Sequence, residues 1–175
     1  MRVTGYSLRE AIKLHDLRRS TAAGQFKDSL HRFADEKKTT PQEVVNSLLA
    51  SEKAIALLQT AQAEYNLKVI ISVRNLAGIE EIMTLSEAIK SIGGIARAEK
   101  MWRSVASPEQ NRFSYREPNL VREAGQVHAE QTINQLTALE LATKMAKYAG
   151  AIRAAIAVAN AKEMEIESLD SKLFG

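Results

Sequence analysis

Three histidines are the side chains of this sequence best suited to acid–base chemistry. No two of His15, His31 and His128 have the i, i+4 spacing that places a pair of metal ligands on one helix face. His31 and Asp35 do have that spacing, but they lie at a charged helix end, where a solvated surface pair is the simpler interpretation. The chain has no cysteine, which excludes a thiolate nucleophile and a Cys-ligated metal.

No nucleophile elbow, phosphate loop or dinucleotide fingerprint occurs, and Gly93-Gly94 lies inside a helical pattern. We therefore expect no enzymatic activity, no cofactor and no metal site.

A basic and aromatic stretch is the best candidate for binding chemistry. It combines arginines, which contact phosphates, with rings that stack on bases, and two lysines at another connection extend it. The residues are Arg112, Phe113, Tyr115, Arg116, Lys37 and Lys38. The alternative is a loop that caps a helical bundle, with its rings in the core and its arginines paired to glutamates. The formal charge is only +3, with 24 Lys and Arg against 21 Asp and Glu. Nucleic-acid binding is therefore the second hypothesis for the function.

The C-terminal part of the chain carries a heptad pattern, in which apolar positions alternate steps of three and four from Leu120 to Ala159. We predict one long, coiled-coil-like helix from Pro118 to about Glu167 that meets another subunit along part of this stripe. Its polar positions would either fix the register of that contact or mark a stretch that faces water. The candidate seam residues are Leu120, Val127, Gln131, Asn134, Leu141, Met145, Tyr148 and Ile152.

Helix starts organise the rest of the sequence. Aromatics at 5% and only 3 prolines favour long helices over sheets. Capping boxes pair Ser7 with Glu10, Thr40 with Glu43, and Thr84 with Glu87. The predicted helices start near Ser7, Pro41, Leu85 and Pro118. The predicted fold class is all-α, built as elongated helical hairpins or an antiparallel helical bundle. The chain would form a single domain, 1–175, with hairpin halves at about 7–75 and 84–167.

The first helix carries an apolar stripe at spacings of three and four, formed by Leu8, Ile12, Ala22, Phe26, Leu30 and Phe33. The run Val69–Val73 is β-branched and permits a strand. We favour helix to about Arg74, followed by a turn through Ala77-Gly78, because no partner strand is evident.

Two short segments of the sequence match each other, which supports a chain built from two similar halves. Ser7–Lys13 and Thr84–Lys90 are identical at five of seven positions, at an offset of 77 residues. The alternative is that this pattern is simply a good helix opening.

Nothing in the sequence indicates export or membrane insertion. The first six residues contain no apolar run, so they are not a secretory signal, and the run from Leu67 to Val73 is far shorter than a membrane span. We expect a soluble protein, in the cytoplasm or in a virion.

The order of these motifs resembles two groups of helical proteins. Two capped starts of the type Leu-x-Glu-Ala-Ile, a Thr-Pro-x-Glu restart and a final Ala-Val-Ala-Asn-Ala are similar to small virion proteins of tailed bacteriophages. The layout also resembles the septicolysin-like long-helix family, in which an Arg-Tyr-Ser-Arg-like stretch follows the second start; here residues 112–116 read Arg-Phe-Ser-Tyr-Arg. The resemblance implies a non-enzymatic structural role, in which the chain assembles with itself or with other structural proteins. Nucleic-acid association and pore formation are the alternatives.

Overall fold

The computed structural model describes residues 1–31, 33, 36–107, 121–122, 127–128 and 133–175, and for 121–122 and 127–128 only the backbone. Four long helices dominate this part of the chain: α1 (Gly5–Ser29), α2 (Pro41–Lys68), α3 (Leu85–Ala106) and α4 (Gln135–Asn160). Three short antiparallel strand pairs accompany them, and a 3-10 turn occupies Ser171–Phe174. The predicted all-α class is confirmed.

The chain divides into two compact units. Unit 1 contains residues 1–70, 84–86 and 157–175, and unit 2 contains residues 71–83 and 87–156. The hairpin halves predicted at 7–75 and 84–167 do not coincide with these units, because unit 1 takes in the C-terminal residues as well as the N-terminal ones.

Unit 1 is built on the α1–α2 helical hairpin. The chain then returns to it: β1 (Arg2–Val3) pairs with β6 (Met164–Glu165), in the register Arg2 to Glu165 and Val3 to Met164. The 3-10 turn also reaches α1, since His15 Nε2 lies 3.0 Å from the Leu173 carbonyl oxygen. The largest fully buried side chains of this unit are Leu8, Leu58, Tyr65, Leu85 and Ile166.

The start of α1 differs from its prediction by two residues. Thr4, not Ser7, is the N-cap, and its hydroxyl accepts from Ser7 N at 3.0 Å while Ser7 Oγ accepts from Thr4 N at 3.0 Å. Ser7 is thus the third residue of the box rather than its first. Because β1 pairs with β6, the backbone is extended up to Thr4, and the helix begins directly after it. A helix capped by Thr4 contains more backbone hydrogen bonds than one capped by Ser7.

The start of α2 agrees with its prediction. Glu43 N donates to Thr40 Oγ1 at 3.3 Å, and Thr40 N donates to Glu43 Oε2 at 2.8 Å. These hydrogen bonds to Thr40 lower the pKa of the Glu43 carboxyl. Helix α3 likewise begins at the predicted Leu85.

The prediction of helix through Val69–Val73 is wrong. In the structure α2 ends at Lys68, β2 (Ile70–Arg74) follows, and β3 (Glu80–Thr84) pairs with it. The connecting turn has the expected glycine: Gly78 adopts φ +79°, and Asn75 Oδ1 accepts from Ala77 N and Ile79 N. The partner strand was missed because its sequence begins with two glutamates and ends at a helix start.

Unit 2 contains this strand hairpin with most of α3 and α4. Its buried side chains are Ile71, Val73, Met83, Ala88, Ala138, Ala142, Ala149 and Ile152. Tyr148 of α4 donates to Glu81 of β3 at 2.8 Å. The mostly small buried residues of α4 allow neighbouring backbone to approach it closely.

The prediction of one unbroken helix from Pro118 to about Glu167 is also wrong. Strands β4 (Val121–Arg122) and β5 (Val127–His128) pair with each other upstream of α4. The sequence between them contains Gly125, which disfavours helix. Helix α4 begins only at Gln135, and it ends at Asn160, before β6. The heptad spacing upstream of Gln135 was therefore coincidental.

Candidate functional site

The apolar stripe of α1 changes environment along its length. In the part from Leu8 to Ala22, Leu8, His15 and Ala22 are buried and Ile12 is half-buried. The contact of His15 with the 3-10 turn lies in this part. Beyond it, Phe26 is 39% exposed and Leu30 is 51% exposed, although both continue the same helical stripe. Phe33, which follows the helix, is also exposed. The apolar stripe of α1 thus packs into the core over its first half and is exposed over its second half.

Helix α2 adds two apolar side chains on the same side of the hairpin. The ion pair between Arg19 and Glu52, with Nη1 and Oε1 3.3 Å apart, marks one side on which the two helices meet. Phe26 and Leu30 lie seven and eleven residues after Arg19, which is close to whole helical turns. On α2, Val45 lies seven residues before Glu52 and Leu49 three, so both lie near the line of Glu52.

These four residues, Phe26, Leu30, Val45 and Leu49, form what we call the distal face. They are 36–59% exposed. Taking about 200 Å² for a large, fully exposed apolar side chain, the distal face presents roughly 400 Å² of apolar surface. That value is in the range of the largest patches on monomeric proteins, which are often functional.

Charged groups of both signs lie at the two ends of the distal face. Toward the start of α1, Arg19 pairs with Glu52 and also with Asp16, at 2.8 Å, so two carboxylates accompany one guanidinium. Toward the α1–α2 connection, the described charged residues are Lys27, Asp28, Glu36, Lys37, Lys38 and Glu43, three of each sign.

The predicted nucleic-acid contact is only partly described. Arg112, Phe113, Tyr115 and Arg116 lie outside the described residues, so this part of the hypothesis stays a prediction. Lys37 is exposed. Lys38 Nζ lies 3.9 Å from a Glu36 carboxylate oxygen and donates to the His31 carbonyl at 3.4 Å, so its charge is partly compensated within its own loop.

The predicted oligomer seam falls into three groups. Leu120 and Gln131 lie outside the described residues, and Val127 belongs to β5, whose side chains are not described. Leu141, Met145 and Tyr148 on α4 are half-buried, and Ile152 is fully buried. Burial and hydrogen bonding to Glu81 raise the pKa of Tyr148. The chain by itself therefore covers much of the described part of this stripe.

Asn134 has a local role that explains a polar residue in the heptad pattern. Its Oδ1 accepts from Thr137 N at 2.7 Å, and its carbonyl accepts from Ala138 N, so it caps the start of α4. It is exposed. Its exposure agrees with the alternative that this polar position faces water, but it lies at the N-cap and not within the helix.

Val45 and Leu49 are the residues of the distal face that sequence reasoning missed. The signal was present as two adjacent pairs, Val44-Val45 and Leu48-Leu49. In each pair the first residue is the less exposed one, and the second lies on a different side of α2. Two such pairs, four residues apart, indicate a helix with two apolar sides. Packing within one chain buries only one of these sides.

Side chains that could ligate a metal are scattered in the described part of the chain. It contains no group of three or more His, Asp or Glu side chains that could hold a metal ion. A groove of about 320 Å³ lies between α1 and α2 and is lined by nine residues, of which only Arg18 and Glu43 are charged. Glu43 is already engaged by the Thr40 cap. A second groove, of about 440 Å³, is lined by Glu64, Lys68, Glu165, Glu167 and Ser168.

No helix among the described residues combines the length and apolar character needed to cross a bilayer. Comparison of the chain with family models, with curated proteins and with solved structures gave no match.

Proposed function

We propose that this chain is a non-enzymatic structural protein that assembles through its long helices. The observation that supports this is the distal face. Burial of apolar surface drives most protein association, and a face of this size beside a well-packed helix pair is typical of a contact with another protein. Catalysis would need convergent titratable groups, whereas the distal face has four apolar side chains bordered by charges.

The resemblance of the helix-start motifs to small virion proteins of tailed bacteriophages gives this proposal its biological setting. In that setting the chain is a component of a phage particle, located in the virion or in the host cytoplasm before assembly. It would contact further copies of itself or other structural proteins.

The proposal is tested by measuring mass in solution and by following the chain into its natural assembly. We expect light scattering to give a mass above that of one chain, or a complex with a second structural protein. We also expect capsid or tail genes beside the gene of this protein.

The substitution Leu49→Lys should weaken the assembly. Leu17→Lys is the matched control, because Leu17 is an exposed leucine nine residues from Phe26, on the opposite side of α1. A protein that stays monomeric at high concentration and enters no larger complex would refute the proposed function.

A further inference from the structure

We draw no further inference here: the strongest candidate, the exposed apolar patch that Phe26, Leu30, Val45 and Leu49 form on the α1–α2 hairpin, carries nothing beyond the proposed function, because nothing in the described part of the chain shows what covers it.

Discussion

The hydroxyl of Tyr65 should contribute about 2 kcal/mol to the free energy of unfolding. The substitution Tyr65→Phe measures this contribution. The side chain is 0% exposed, and its hydroxyl lies 2.7 Å from the Ala159 carbonyl oxygen and 2.8 Å from that of Lys162. The backbone N–H of Gly5 also faces this hydroxyl and lowers its pKa. Phenylalanine keeps the ring and its packing but leaves these buried groups short of a partner.

The expected loss of stability follows from the hydrogen-bond partners that each buried group keeps in Tyr65→Phe. Ala159 O still accepts from Lys162 N at 3.0 Å, so it keeps one partner, whereas the N–H of Gly5 loses its contact with the phenol. An unsatisfied buried group costs about 1–3 kcal/mol, and we take the middle of that range. For a chain of this size that corresponds to a fall in Tm of roughly 4–8 °C.

Tyr6 provides the control within the same unit. Its hydroxyl also donates to a carbonyl of the last turns of α4, that of Ala157 at 3.2 Å. Tyr6 is 44% exposed, however, so water replaces the lost hydrogen bond. Tyr6→Phe should therefore change the free energy of unfolding by no more than about 0.5 kcal/mol.

Urea unfolding followed by circular dichroism gives both free energies of unfolding. The pH dependence adds a second signature, because burial raises the pKa of the Tyr65 phenol. A raised folded-state pKa gives stability that is present below the unfolded value, near 10, and is lost as pH rises through the folded value. The loss of stability at high pH should be smaller in Tyr65→Phe. Equal, small effects of the two substitutions would refute this reasoning.

Four further substitutions test other parts of the fold by the same unfolding measurement. Gly5→Ala should destabilise by more than about 1 kcal/mol, since the new Cβ would collide with Asn160, whereas Gly24→Ala, in open space within α1, should stabilise by about 0.5–1 kcal/mol. Ile152→Lys should unfold the chain rather than release a subunit, because Ile152 is fully buried and an unpaired buried charge costs several kcal/mol. Thr40→Ala should cost about 1 kcal/mol at neutral pH. That cost should shrink as pH falls through the lowered pKa of the capping carboxylate of Glu43, since its contribution is lost there.

Local rules of helix initiation were enough to predict much of this fold from sequence. The Thr40 box and Pro41 placed the start of α2 because both act within four residues of the chain. Leu85 was found for the same reason. The error at α1 was small: Thr4 and Ser7 are both good caps, and the choice between them depends on β6, more than 150 residues away.

The larger errors came from pairing, which a local pattern does not contain. Val69–Val73 has strand-forming residues, yet its partner strand begins with Glu80 and Glu81, whose charges conceal it. Heptad spacing continued upstream through Val127, but β4 and β5 pair with each other there. Periodicity reports which faces are apolar once a helix exists, and it does not show that the helix exists.

The two halves of the α1 stripe should respond differently to truncation. The buried half should affect stability, and the exposed half should affect self-association. Leu8 is fully buried in unit 1, so Leu8→Ala should cost about 2–5 kcal/mol of stability. Phe26 lies on the same stripe but is 39% exposed, so Phe26→Ala should cost much less in the isolated chain and should weaken self-association instead. Unfolding and sedimentation on both variants measure the two effects. If Phe26→Ala destabilised the monomer as much as Leu8→Ala, the outer half of the stripe would belong to the core, and the distal face would not be a docking surface.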